Sequence, residues 1–339
     1  MADNPQTLAL VTLAQNYRGD IVRQINRRSA LLRMLPFVKG EGKNCAFATE
    51  ADGMIAENYA DGADATNFGS DAQASAVLSW GLYRSAFRVT GLALASSATS
   101  RTPEGNVALW ARNMVNASGK LATTVNAGLF TGAGTGTLIA GLDVAVGQTT
   151  NTYAGIDRTV GANAYFKPTV VDPGSLTAPT FALVRDDLRL IYEACGENPD
   201  LGVCSPAVFN KLGGLFDNTR RQIQDVQTSR GVVKLDAGFG ALEIDGTFFV
   251  KDKDCQANRI IYLNTNHVRV EYLPAANPSQ DMGVMVVGTS DGFGSTPLGM
   301  TVEPIAKLGD SSRAQCKTYI QLVVDRPNTC GTRLNVAVT

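Results

Sequence analysis

The sequence predicts an α+β fold, in which helices and strands occupy different parts of the chain instead of alternating. Residues 101–136 have the apolar periodicity of one long helix, and residues 44–83 before them form an acidic, glycine-rich stretch flanked by strand-like pieces. After residue 176, shorter helices and strands follow without a regular strand–helix order. No repeat of about 20 to 50 residues is present, which excludes solenoid and propeller architectures.

A basic arm begins the chain. Apolar periodicity predicts helix over residues 5–35, with a break at Gly19 and a stop at Pro36. This arm contains Asp20 and Glu41 but seven cations, namely Arg18, Arg23, Arg27, Arg28, Arg33, Lys39 and Lys43. Two interpretations stay open: a solvated helix face, or a surface that contacts acidic neighbours or nucleic acid.

The second segment predicts a long two-stranded hairpin. Residues 44–49 and 76–90 are strand-like, and no Lys or Arg occurs between Lys43 and Arg84. The acidic residues between them are Glu50, Asp52, Glu57, Asp61, Asp64 and Asp71. Because such a hairpin is barely stable alone in water, we expect it to lie against a neighbouring subunit. The alternative is a disordered surface loop.

The predicted long helix has a clear start and a clear end. Thr102, Pro103 and Glu104 supply an N-cap hydroxyl, a first-turn proline and an early carboxylate. Apolar residues then recur every three or four positions, at Val107, Trp110, Met114, Ala117, Leu121, Val125 and Leu129. The glycines at 132, 134 and 136 end the helix.

Later segments are shorter. Helices are predicted over residues 176–195 and 206–215, whereas residues 148–163 and 216–234 are polar. Strands are predicted at residues 137–146, 165–170, 200–205, 242–250, 258–263, 267–273, 283–287, 319–324 and 333–338.

Composition favours a subunit that is covered by copies of itself. Of 339 residues, 18% are charged, below the usual share of about 25%, and the formal net charge is −1. The chain as a whole therefore lacks the excess of positive charge that is typical of nucleic-acid-binding proteins. No apolar run is long enough to cross a bilayer, and the N-terminus has no secretory pattern, so we expect folding in a cytoplasm.

No stretch of the sequence carries a specific enzyme or metal signal. The glycines at 132–136 follow a helix, whereas a phosphate-binding loop precedes one. His267, the lone histidine, is expected to be structural, and Asp186 and Asp187 are expected on a solvated helix face. The six cysteines lack C-x-x-C spacing, which argues against a zinc site. Reduced thiols and disulfides formed later both stay open as interpretations. We therefore predict no catalytic, cofactor or metal site.

Several stretches together resemble the major capsid proteins of tailed bacteriophages. They are an arm at 21–37, a helix end at 129–134 with Gly141 and Leu142, residues 153–158, and strands at 244–252 and 260–264. Their order covers roughly residues 7–273, and each alone is weak. The resemblance implies a Hong Kong 97-type capsid fold and a shell of hexamers and pentamers around packaged double-stranded DNA.

The resemblance also implies a division of the chain. It would comprise an N-terminal arm (1–43), an extended loop (44–95), a peripheral domain with the spine helix (96–175), an axial domain (176–300) and C-terminal strands (301–339). No lysine occurs between Lys43 and Lys120, so the covalent lysine–asparagine link of the founding member is not expected. Expected partners are other copies, a separate scaffold protein, a portal, a decoration protein and DNA contacted without sequence preference, with no membrane. The rival functions are an encapsulin-like compartment and a monomeric enzyme.

Overall fold

The computed structural model describes residues 29–51, 53–62, 64, 66–93, 95, 109–215, 225–228, 231–234, 242–273, 300–306 and 309–338. The predictions for residues 5–28, 101–108 and 283–287 lie outside these ranges. Contacts divide the chain into two units. Unit 1 comprises residues 1–33, 82–127 and 272–320, and unit 2 comprises residues 34–81, 128–271 and 321–339.

The described elements confirm a mixed α+β chain. The helices are α1 (Leu31–Met34), α2 (Leu109–Thr131), α3 (Leu142–Ala145), α4 (Phe181–Cys195) and α5 (Pro206–Gly214), with 3₁₀ turns at Gly161–Phe166 and Pro327–Thr329. The first strands are β1 (Phe37–Lys39), β2 (Asn44–Ala51), β3 (Ala72–Ser79), β4 (Gly81–Thr90), β5 (Thr152–Tyr153), β6 (Ile156–Asp157), β7 (Thr169–Val171) and β8 (Leu201–Cys204). The later strands are β9 (Asp225–Thr228), β10 (Gly231–Lys234), β11 (Leu242–Ile244), β12 (Thr247–Lys251), β13 (Ile260–Leu263), β14 (Val268–Tyr272), β15 (Thr301–Ile305), β16 (Ser311–Val324) and β17 (Gly331–Arg333).

Unit 2 contains a six-stranded sheet with the order β11-β12-β8-β13-β17-β7. All four residues of β8 are buried, as its continuous apolar sequence predicts for a central strand. Val184, Leu188 and Ile191 of α4 join Val208 of α5 and Phe249 of β12 in one core cluster. Burial of each large apolar side chain in this cluster stabilises the folded state by about 1.5 to 3 kcal/mol.

Unit 1 contains strands β4, β15 and most of β16. Strands β15 and β16 are antiparallel, with Thr301 opposite Lys317 and Ile305 opposite Arg313, and β4 also pairs with β16. Ser29 donates a hydrogen bond to Asn126 of helix α2, and both residues are buried. The predicted long helix is confirmed over its described part, and it ends at Thr131 before the glycines.

Three predictions were wrong in type or length. Residues 137–146 are not a strand, because Gly141 begins the short helix α3. Helix α4 begins at Phe181, not at residue 176, because the Thr180 hydroxyl accepts a hydrogen bond from the Leu183 amide and caps the helix. Residues 333–338 leave the sheet early, since Asn335 has a φ of 56° and interrupts the extended backbone.

Two further predictions were incomplete. The polar stretch 148–163 contains the hairpin β5–β6, whose turn residues Ala154 and Gly155 both have positive φ. Tyr165 and Phe166 lie in a 3₁₀ turn, and the strand begins only at Thr169. By contrast, β8 followed by α5 and the hairpin β11–β12 around Asp245 and Gly246 are as predicted.

Candidate functional site: the extended loop and its base

The predicted hairpin is formed by β2 and β3. Its second strand is Ala72–Ser79, and not the single strand 76–90 that the sequence predicts, because the strand is interrupted at Trp80 and β4 pairs with β16 instead. Eight residue pairs join the strands, from Asn44 opposite Ser79 to Ala51 opposite Ala72. We call residues 52–71 the loop tip. A backbone amide at Gly53 donates to the Asp71 carboxylate at 2.9 Å, which closes the tip where the strands end.

The loop tip exposes large apolar side chains. Phe68 is 84% exposed and Tyr59 is 73% exposed, and Met54 and Ile55 are also mostly exposed. Scattered single apolar residues are ordinary on a surface, but this group lies within one protruding segment. The tip therefore offers apolar surface that the chain does not bury.

Trp80 holds the base of the loop, by which we mean the end of the β2–β3 hairpin opposite the loop tip, around Asn44 and Ser79. The Trp80 indole N–H donates to the Gly42 carbonyl at 3.2 Å, and the ring is 7% exposed. A Cβ at Gly40 would lie 2.3 Å from Trp80 Cη2, so a side chain there would displace the ring. The base is thus held by close packing between the ring and a glycine backbone.

Gln321 makes three hydrogen bonds at the same base. Its Oε1 accepts from the Ala140 and Leu322 amides, each at 2.9 Å, and its Nε2 donates to the Ser79 carbonyl at 2.6 Å. The side chain is 1% exposed. One buried amide therefore joins the loop strand β3 to β16 and to the segment after the spine helix.

Arg158 supports the turn on which the loop rests. The Val77 amide donates to the Ala154 carbonyl at 2.8 Å, in the turn of the β5–β6 hairpin. Arg158 follows that hairpin and is fully buried, and its donors reach four acceptors: the carbonyls of Val144, Ala145 and Gln148 and the Asn151 side chain, at 2.7 to 3.2 Å. Its guanidinium carbon lies 4.9 Å from the Tyr153 ring centroid.

The charge of Arg158 persists despite its burial. Desolvation lowers the pKa of Arg158 to about 10, which leaves the guanidinium protonated at neutral pH. Positive charge at the C-terminal carbonyls of α3 is also favoured by the helix dipole, although that helix is short. The sequence marked residues 153–158 only as part of the resemblance and did not predict that Arg158 is buried.

A pocket of about 470 Å³ lies beside strand β2. Its lining includes Thr49, Glu50, Tyr165, His267 and Asp325. His267 Nδ1 is 2.9 Å from the Asp325 carboxylate, and its Nε2 is 3.2 Å from the Glu197 carboxylate. The expected structural role fits this geometry, because each ring nitrogen faces a carboxylate and no nucleophile contacts the ring among the described residues.

The prediction for Asp187 was wrong. Asp186 is exposed as expected, but Asp187 is 1% exposed and forms a bidentate pair with Arg333, at 2.5 Å for both bonds. The Tyr262 hydroxyl donates to it at 2.9 Å. Burial raises the pKa of Asp187, and Arg333 opposes that shift. The adjacent aspartates therefore have different environments, because Asp187 lies with Val184 and Ile191 on the buried face of α4, where Arg333 reaches it.

All six cysteines are free thiols, and five of them are buried. Burial raises the pKa of Cys255 and of Cys330 to about 12, which disfavours the reactive thiolate. Among the described residues, no group of three or more His, Cys, Asp and Glu side chains could hold a metal ion. No described helix is long and apolar enough to cross a membrane.

A protruding apolar loop on a firmly held base suggests a protein that completes itself by association. A family model for the SU10 major capsid protein matches residues 4–337. The chain belongs to the SU10 major capsid protein family. It is thus a major capsid protein of tailed phages and a component of the virion shell. The resemblance noted in the sequence is confirmed, and the family is one of structural proteins.

Solved capsids share the Hong Kong 97-type fold of this capsid protein. The capsid asymmetric unit of cyanophage A-1(L) has a TM-score of 0.73 and 19% identity, covering 95% of this chain and 96% of that chain. The capsid of a native GTA particle has a TM-score of 0.61 and 12% identity, covering 99% and 100%. The SrpI encapsulin of Synechococcus elongatus PCC 7942 has a TM-score of 0.61 and 13% identity, covering 98% and 96%. At these identities the likeness shows the fold alone. No curated protein sequence matches this capsid protein.

Proposed function

We propose that this capsid protein associates as hexamers and pentamers into a closed icosahedral head around packaged double-stranded DNA. The loop tip carries this proposal, since it exposes Tyr59 and Phe68 at the end of a hairpin that has no core of its own. Interfaces that relate identical copies head to tail can close into rings. In such a ring, the loop of each copy makes the same contact with the next copy.

The loop tip would dock on a second copy of the chain. Tyr59 and Phe68 together expose roughly 300 Å² of side chain, if each offers about 200 Å² in full. Burial of that area contributes at most about 8 kcal/mol before the costs of association. The carboxylates of the tip, Asp61 and Asp64 among them, complement the basic arm at residues 18–43 of a neighbour. Such charge pairs fix register more than affinity.

The five segments take the roles that the resemblance implied. We assign residues 1–43 to the arm, 44–95 to the extended loop, 96–175 to the peripheral domain, 176–300 to the axial domain and 301–339 to the C-terminal strands. Assembly would occur in the host cytoplasm with a separate scaffold protein, a portal and a decoration protein. Contacts with DNA would be to phosphates and independent of sequence.

A deletion of the loop tip tests this function. Removing residues 52–71 and joining Ala51 to Ala72 through Asn-Gly keeps the pairing of β2 with β3, because that dipeptide forms a two-residue hairpin turn. The expected product is a soluble, folded subunit that forms no closed shells in negative-stain micrographs. Circular dichroism checks the fold.

A control variant separates docking from general surface hydrophobicity. Leu176 and Tyr192 are 59% and 52% exposed but lie outside the loop, so L176S/Y192S removes comparable apolar surface elsewhere. We expect this variant to form shells, whereas Y59S/F68S should not. Normal particles from the tip deletion would contradict the proposal.

A further inference from the structure

The two chains of the loop tip approach each other closely at two glycines. A Cβ at Gly69 would lie 2.2 Å from the Gly53 carbonyl oxygen, and a Cβ at Gly53 would lie 2.3 Å from the Ser70 carbonyl oxygen. Both obstacles are backbone atoms, which cannot rotate away as a flexible side chain can. We call this contact the glycine crossing. Alanine at either glycine would force the two chains apart by about 1 Å.

The glycine crossing continues the register of the β2–β3 hairpin. Continued past Ala51, that register sets Gly53 opposite Ser70. The next pair is Met54 with Gly69, and the Cβ position of Gly69 is 2.9 Å from Met54 Cα. The two chains therefore stay paired in order beyond the ends of the strands, and the first part of the loop tip has the shape of a narrow ribbon.

Two exposed apolar side chains come directly after the glycine crossing. The next step of the register sets Ile55 opposite Phe68, and the side chains of opposite residues share a face with their Cβ atoms about 5 Å apart. Ile55 is 56% exposed and Phe68 is 84% exposed. Beyond them, the Asn67 side chain donates to the Glu57 carboxylate at 2.6 Å and joins the two chains again. We call Ile55 and Phe68 the apolar wedge.

The apolar wedge continues the face of the hairpin that this chain buries at the base. Cys45 and Thr49 point to one side of β2 and are buried, whereas their neighbours along the strand are exposed. Leu78, opposite Cys45, is buried too. Ile55 is an even number of residues from Cys45 and from Thr49, so the same face extends outward past the part that this chain covers. In a ring of identical subunits, the surface that can cover it belongs to the next copy.

We propose that the apolar wedge, held in shape by the glycine crossing, is the anchor that a second copy of the chain covers. The inference rests on the proposed function and deepens it, because it names the residues that bind and the residues that position them. A preformed wedge loses little conformational freedom on docking, which favours association. A few buried anchors carry most of the binding free energy of an interface, whereas the charges around them mainly fix register.

Substitutions of the wedge and of the nearby charges separate apolar docking from charge attraction. I55S/F68S removes the apolar wedge, and the critical concentration for shell assembly should rise about thirtyfold or more. D61N/D64N removes two exposed carboxylates of the loop tip and leaves the wedge, so its critical concentration should stay within about threefold of the unmodified value. Light scattering across a protein concentration series measures both values, and negative-stain micrographs identify the shells.

Alanine at the glycine crossing tests positioning, because G69A removes no exposed side chain. Displacement of the wedge by about 1 Å should raise the critical concentration at least about tenfold. The free energy of unfolding in urea should not change, since the residues of the loop tip are mostly exposed. G62N is the control within the same loop tip, because a Cβ at Gly62 would meet no atom within 4 Å and asparagine tolerates the left-handed φ there.

Several outcomes would overturn the inference. Assembly of I55S/F68S or of G69A at the concentration of the unmodified protein would do so. A lower free energy of unfolding in G69A would also do so, because the glycine crossing would then have a folding role. Equal losses of assembly in D61N/D64N or G62N would reject the wedge as the anchor, because any change in the loop tip would then have the same effect.

The tip deletion tests the proposed function separately. If it abolishes shells while I55S/F68S and G69A assemble normally, the apolar wedge is rejected and the docking loop is kept. If the deletion forms normal shells, the docking loop itself is rejected. Sedimentation velocity gives a second readout, since an unmodified chain that stays monomeric at every concentration would reject both.

Discussion

Replacing Arg158 with methionine should destabilise the subunit and loosen the base of the loop. Methionine keeps much of the side-chain length but none of the donors, so the carbonyls of Val144, Ala145 and Gln148 and the Asn151 side chain lose a partner. An unsatisfied buried acceptor costs about 1 to 3 kcal/mol. Removal of a desolvated charge offsets part of this, and we expect a net loss of about 3 to 5 kcal/mol.

Urea unfolding of dispersed subunits measures this loss, and R185M is the control. Arg185 is exposed and paired with Asp245, so its replacement should cost less than about 1 kcal/mol. Burial lowers the pKa of Arg158 to about 10, so the group is charged in both folded and unfolded chains near neutrality. The difference between R158M and the unmodified chain should therefore be constant between about pH 6 and pH 8.

Hydrogen exchange adds a local readout to the same variant. The Val77 amide donates to the Ala154 carbonyl, in the hairpin that precedes Arg158. We expect faster exchange at Val77 in R158M than in R185M. The reasoning would be refuted if R158M unfolds within about 1 kcal/mol of the unmodified chain, because four buried acceptors would then have found other partners.

Further predictions concern single side chains. Q321E replaces the donor to the Ser79 carbonyl with an acceptor and should cost about 2 to 3 kcal/mol in urea unfolding, whereas Q321A should also raise exchange at the Ala140 amide. R333M should cost about 3 to 5 kcal/mol at neutral pH by leaving Asp187 buried and unpaired, and less in acid, where the raised pKa of Asp187 lets it protonate first. In native subunits the partly exposed Cys195 should react with a thiol reagent before the buried cysteines do. Reduced mature particles should run as one monomer band without a ladder of crosslinked species, since the loop offers no lysine for a crosslink.

Local rules predicted the elements whose signals lie within a few residues. The strand β8 followed by α5 needed only an apolar run, a serine cap and a proline at the helix start. The loop hairpin followed from two strand-like pieces around an acidic stretch, and the end of the spine helix followed from its glycines. These are cases in which neighbours in sequence are also neighbours in space.

The same rules failed where a distant residue decided the outcome. Asp187 lies three residues after Val184 and four before Ile191, on the buried stripe of α4, but its pairing with Arg333, 146 positions away, is absent from the local pattern. Gln321 is an ordinary polar residue of a strand in sequence, yet it reaches Ala140 and Ser79, which are 181 and 242 positions away. Burial of a polar group depends on partners that periodicity does not contain.

The amino-acid sequence alone determined that this chain has a helical spine, an acidic protruding hairpin and no means to bury that hairpin within itself. Only the tertiary structure decided which polar side chains hold the hairpin in place, namely Arg158 and Gln321. The reason is physical: periodicity records which way a side chain points along its own helix or strand, whereas hydrogen bonds and charge patches arise between segments that folding brings together.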